Sequence, residues 1–190
     1  MQTKNITPHH YLCDKVIAEI NEQLAAHLPW LQHTYGRCER LVKTIDGRRY
    51  YTPNVYLGDD QYECLLPDDR RGCYSFFVMT EPETIRQKVQ IEVRVECPFS
   101  LVVWVDMRQV ERIMNLADER NTEYVKEQLL SVLEMPLTRK GSYTLDKIYQ
   151  RAENVFQGFT LDEVDNQFLM SPFAGFRITG TMIVTNDCNQ

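Results

Sequence analysis

Few residues of this 190-residue chain stand at spacings that do chemistry by themselves. Acyl transfer needs a Ser, Cys or Thr nucleophile beside an orienting base. The four histidines all fall within the first 33 residues, and the sequence holds no GxSxG elbow. Walker and GxGxxG phosphate loops are absent, as are HExxH and the zinc-deaminase pattern. Asp106, which closes an apolar run, is the best single candidate for an acid or base; a carboxylate capping a strand end, or pairing with Arg108, is the plainer reading. Asp59, Asp60, Glu63, Asp68 and Asp69 form an acidic cluster, but their order does not supply ligands at the fixed alternate positions of a calcium loop. Asp68-Asp69 is followed directly by Arg70-Arg71, a self-neutralising run that suits a solvated loop or an interface rim. His9, His10 and Cys13 could be imagined as metal ligands, and first-turn residues facing solvent explain them as well. The sequence by itself therefore assigns no catalytic residue, no metal and no cofactor.

The cysteines (Cys13, Cys38, Cys64, Cys73, Cys97 and Cys188) are scattered and form no CxxC pair. Free thiols in a reducing compartment, several of them buried, are the expectation. Cys64 and Cys73 flank one loop and are expected to stay unbonded. A formal charge of −6 argues against a nucleic-acid-binding surface, which needs a basic stripe. The start MQTKNITPHHYLC lacks a basic-then-apolar leader, and no apolar run approaches the ~20 residues of a membrane helix.

The elements that must position these side chains are organised around VQIEVRVECPFSLVVWVD, residues 89–106. Its odd positions, from Val89 through Cys97 to Val105, are all apolar, which places them on one face of a sheet. Gln90, Glu92, Arg94 and Glu96 make the first half half-exposed, while Val102 and Trp104 make the second half covered on both faces. Pro98 removes a ladder donor, so a bent strand, or two strands meeting near Cys97-Pro98, is expected.

Thr7-Pro8 opens an amphipathic helix that runs through Cys13, Val16, Ile17, Ile20, Leu24 and Leu28 to Pro29. Residues 37–56 read as a hairpin turning at Asp46-Gly47, with Pro53 making the return strand an edge or breaking it. A second turn at 56–62 is flanked by Tyr56 and Tyr62, and residues 67–72 form a loop. Tyr74–Met79 reads as a buried strand. Helices follow from Met107 to about Ala117, from a Thr122 cap to Pro136, and from a Thr144 cap through Leu145, Ile148, Tyr149, Ala152 and Phe156 to Gly158. Leu161–Met170 is expected as a strand, and Phe176–Thr185 as the closing strand, half-buried and rich in β-formers. The sum is a single α+β domain: an antiparallel or mixed β-sheet with a long hairpin, packed by three or four helices.

That order of elements resembles the small α+β tail-terminator and tail-completion proteins of bacteriophages and prophages. The phrases TPNVYLGDDQYECLLPDD, SLVVWVDMRQV and FLMSPFAGFRITG are similar to stretches of prophage tail proteins from gut bacteria. The resemblance implies a subunit that assembles with itself as a ring, often a hexamer. Such a ring binds the last ring of tail tube protein, stops polymerisation and meets the head-tail connector protein. It offers no catalytic residue to carry over, and its place is the virion tail, after assembly in the bacterial cytoplasm; no cofactor, metal, membrane or specific nucleic-acid binding is expected of the chain. Net negative charge is consistent with a lumen that DNA slides past.

A ring contact joins two different faces of each subunit. Arginine, tyrosine and carboxylate favour interfaces, which makes Arg48, Arg49 and Tyr51 on the first hairpin, Tyr56 and Tyr62 at the second turn, and Asp68, Asp69, Arg70 and Arg71 in the loop the expected contacts. Two other classes remain open: a small cytoplasmic enzyme with Asp106 and the acidic loop at a pocket, and an adaptor-type α+β binding domain.

Overall fold

Alternation along residues 92–106 fixes the centre of the molecule. The computed structural model describes residues 12–88, 92–116, 121–138 and 141–187. Strand β7 (Glu92–Asp106) pairs over its whole length with antiparallel β9 (Phe173–Asp187), from Glu92 opposite Asp187 to Asp106 opposite Phe173. Its other edge takes two shorter strands end to end: β6 (Thr84–Lys88) against Glu92–Glu96 and β5 (Tyr74–Met79) against Phe99–Trp104. Strand β1 (His33–Arg37) adds in parallel to β5, and β8 (Ser142–Tyr149) adds antiparallel to β9. The result is a mixed sheet in the order β1-β5-β7-β9-β8, with β6 beside the first half of β7. A second, three-stranded antiparallel sheet holds β2 (Glu39–Ile45), β3 (Arg48–Gly58) and β4 (Gln61–Cys64).

The two faces of β7 found two cores. Cys97, Phe99, Leu101, Val103 and Val105 point to a layer of helices: α1 (Cys13–His27), α2 (Met107–Met114) and α3 (Thr122–Leu133). Val102 and Trp104 point the other way, toward Tyr74, Phe76, the small sheet and the short α4 (Ala152–Val155). Here Trp104 meets Phe156 edge to face with ring centroids 5.2 Å apart, and both are fully buried. Each such side chain contributes on the order of 2–3 kcal/mol by leaving water. The architecture is one α+β domain of three layers: helices, mixed sheet, and small sheet with α4.

Pro98 neither starts a second strand nor marks a sheet edge. It pairs with Thr181 on β9, and on the opposite side its carbonyl accepts from Thr80 N at 2.9 Å in the gap between β5 and β6. The missing N–H faces that gap, where no continuous ladder asks for a donor. One unbroken strand of 15 residues results.

Other expectations are corrected as well. The helix from the Thr144 cap through Leu145 and Ile148 is strand β8, and only Ala152–Val155 is helical. Leu161–Met170 is not a strand but a set of turns with a 3-10 helix at Asn166–Leu169, capped by Asp165 through Gln167 N. Val164, Phe168 and Leu169 pack these turns onto the second core without a backbone ladder. Nor are all the cysteines free: Cys13 of α1 is bonded to Cys97 of β7, because the first core brings the two buried residues face to face. Glu83 also lies near this pair, whose sulfurs are spent on each other. Cys64 and Cys73 are unbonded, as expected.

The cap of α3 is Asn121, which accepts from Tyr124 N at 3.2 Å, rather than Thr122. Strands β1 and β6 have no counterpart in the sequence reading. The Thr7-Pro8 helix start, His9, His10 and Cys188 lie outside the described residues.

Candidate functional site

The hairpin expected at Asp46-Gly47 forms as read. Both turn residues have positive φ, 50° and 76°, which aspartate followed by glycine supplies at low cost. Strand β3 is nevertheless a middle strand, not an edge: its first half pairs with β2 and its second with β4, changing over at Asn54. Pro53 sits at the changeover. Its carbonyl accepts from Leu65 N at 2.7 Å, just past the end of β4, so the absent N–H interrupts neither ladder.

Beyond that changeover the hairpin has little beneath it. Every residue from Lys43 to Arg49 is exposed, and Val42 and Ile45 expose 55% and 42% of their surface. Between Arg37 and Tyr51 five basic residues (Arg37, Arg40, Lys43, Arg48 and Arg49) stand against Glu39 and Asp46, a local +3 within a chain of −6. Lys43, Arg48 and Arg49 have no ion pair among the described residues. The base is pinned to the body. Tyr51 N donates to Thr160 Oγ1 at 3.0 Å, Thr160 N donates to Tyr51 O at 2.8 Å, and the Arg40 guanidinium lies 3.9 Å from the centroid of the Tyr51 ring. A fixed base under an exposed, basic, partly apolar tip presents a shaped contact surface.

At the second turn Tyr56 and Tyr62 pair across β3 and β4 with ring centroids 5.1 Å apart, leaving Tyr62 well exposed. The following loop departs from a solvated rim. Arg71 is only 6% exposed and gathers the cluster around itself: Nη1 donates to Glu63 at 2.7 Å, and Nη2 donates to Asp68 at 2.6 Å and to Leu66 O at 3.1 Å. Tyr35 donates to the other Glu63 oxygen at 3.3 Å, and Arg71 packs against the Tyr74 ring. Burial, then the charge of Glu63, pushes the Tyr35 hydroxyl well above its ordinary pKa. Asp69 and Arg70 remain on the surface, with Arg70 held to Asp68 at 2.8 Å. Asp68 and Arg71 therefore act as an internal clasp closing the 67–72 loop. Among the described residues the acidic cluster does not come together as a set of cation ligands.

Asp106 takes the plain role. It caps α2, accepting from Arg108 N at 3.1 Å and from the Arg108 side chain at 2.9 Å. Burial pushes the Cys38 and Cys73 thiols up to about 12, which keeps them protonated and poor nucleophiles at neutral pH.

One surface feature escaped the sequence reading. Two depressions flank α3 and share Tyr124, Glu127 and Ser131 between them. The first is an acidic groove, with Leu130 in its lining and Glu123, Glu127 and Glu134 exposed along it; Leu28, Val132 and Met135 line the second, toward the end of α1. Sequence periodicity marks the buried face of a helix, whereas these depressions lie on the outer flanks of α3. Compared with family models and with curated proteins, the chain matches none.

Proposed function

We propose that this chain is a structural assembly subunit of the phage or prophage tail-terminator kind. It would join copies of itself in a ring and bind tail tube protein on one side and a head-side connector on the other. The observation that carries the reading is the β2–β3 hairpin: anchored through Tyr51 and Thr160, exposed from Lys43 to Arg49, and carrying Arg48 and Arg49 without intramolecular partners among the described residues. An arm anchored at its base, with unspent charge and exposed aliphatic side chains, suits a subunit whose work is contact. The particular assembly is proposed on the resemblance in the order of elements and in the three quoted stretches. Of the carboxylates on which an enzymatic reading would draw, Asp106 is paired with Arg108 and Asp68 with Arg71.

The test is assembly itself. Purified protein, examined by light scattering and electron microscopy, is expected to form closed rings and to bind tail tube subunits encoded beside its gene. A protein that stays monomeric at high concentration and has no tail genes as neighbours would sink the reading.

A further inference from the structure

The basic hairpin and the acidic groove lie in opposite outer layers of the domain. The small sheet packs on the Val102 and Trp104 face of β7, and α3 packs on the Val103 and Val105 face. They therefore cannot satisfy each other within one molecule. Each presents what the other lacks. The hairpin carries Lys43, Arg48 and Arg49 around the exposed Ile45; the groove carries Glu127 and Glu134 around Tyr124 and Leu130. Glu123 of the groove is already paired, to Lys126, whereas Glu127 and Glu134 have no ion pair among the described residues.

We propose that the β2–β3 hairpin of one copy seats in the α3 groove of a second copy, Lys43, Arg48 and Arg49 facing Glu127 and Glu134. Ile45 enters between Tyr124 and Leu130, where its exposed surface leaves water together with the groove lining. This rests on the assembly reading above and names the two faces that reading needs. Because hairpin and groove are different surfaces, the contact repeats from copy to copy and closes into a ring when the rotation allows. Opposite charge across it steers encounter and fixes register, and rising salt weakens it.

Two charge-reversed proteins test the contact, R48E/R49E and E127R/E134R, each followed by sedimentation over a concentration and salt series. Each alone is expected to self-associate at least about tenfold more weakly than wild type, since like charges then meet at the contact. Mixed one to one, they are expected to regain association: wild-type charges meet at one junction and reversed charges at the next. All the substituted residues are exposed, so thermal unfolding checks that each variant folds. If wild type forms rings and both variants do so undiminished, the hairpin–groove contact is wrong and the assembly reading stands. If the variants are impaired but the mixture is not rescued, the specific pairing is wrong. If wild type never associates, both fall.

Discussion

Arg71 and Glu63 lie 2.7 Å apart, guanidinium against carboxylate, with Arg71 almost wholly buried beside the ring of Tyr74. Together with Asp68 this pair turns an acidic stretch of sequence into the lock of a loop. Removing the cation strands two carboxylates in a partly desolvated pocket. Both still reach some solvent, so Arg71→Ala is expected to cost about 3 kcal/mol, the low end for breaking a buried ion pair. Arg71→Lys keeps the charge but cannot serve both acids and the Leu66 carbonyl at once, and should lose less. Urea midpoints of the two variants against wild type check this, and equal midpoints for all three would refute it.

His33 gives the chain a pH dependence of definite sign. Burial lowers its pKa below the ordinary value, Glu63 pulls it upward, and Arg71 again lowers it. The unfolded chain titrates near pH 6.5 and so binds the proton at a higher pH than the folded one. Its contribution is complete above about pH 6.5 and fades as pH falls through the folded value. Wild type should therefore lose stability as pH falls below about 6.5, and His33→Gln should flatten part of that slope.

Gly180 leaves no room for a side chain in the main sheet. It pairs with Phe99 on one side and Leu145 on the other, and an added Cβ would overlap the Thr144 carbonyl oxygen and come within 2.9 Å of the Phe99 ring. The backbone oxygen cannot swing aside as a side chain can. Gly180→Ala is expected to destabilise by about 2–3 kcal/mol, as overpacking does. Calorimetry should show the loss, and a neutral result would mean that β8 shifts to make room.

Core and hairpin should separate in a single experiment. Val103 is fully buried in the first core, so Val103→Asp places an unpaired charge there and should leave no cooperative unfolding transition. R48E/R49E touches only exposed positions and should shift stability by under about 0.5 kcal/mol. Circular dichroism melts of both proteins decide it. A large loss from the hairpin substitution would show that the arm is folded against the body.

Much of this architecture is written in the residues. The period-two pattern of residues 92–106, Asp46-Gly47, the closing strand and the three longer helices all announce themselves, since one apolar face against one core leaves a clear periodicity. Strand β8 does not. Its register shifts between Leu145 and Lys147, so the inserted residue spaces Leu145 and Ile148 by three and mimics a helix, although Tyr143, Leu145 and Ile148 face one side. Thr84–Lys88 forms β6 only because the first half of β7 offers it an edge. The candidate contact shows the same division. Arg48, Arg49 and Tyr62 are exposed and Tyr56 is half-buried, while the inward turn of Arg71 depends on packing between distant segments.

The position of β9 between β7 and β8 has a consequence for how the protein is made. As a ribosome delivers the chain, β7 emerges with one long flank bare, and β8 follows with nowhere to dock until Phe173 and its successors arrive. During that interval the nascent molecule shows a hydrophobic ribbon with open amide groups, an invitation to stray pairing. A chain halted before Phe173 should accordingly precipitate rather than survive as a smaller domain, and chaperones that shield extended segments should favour recovery of the intact product.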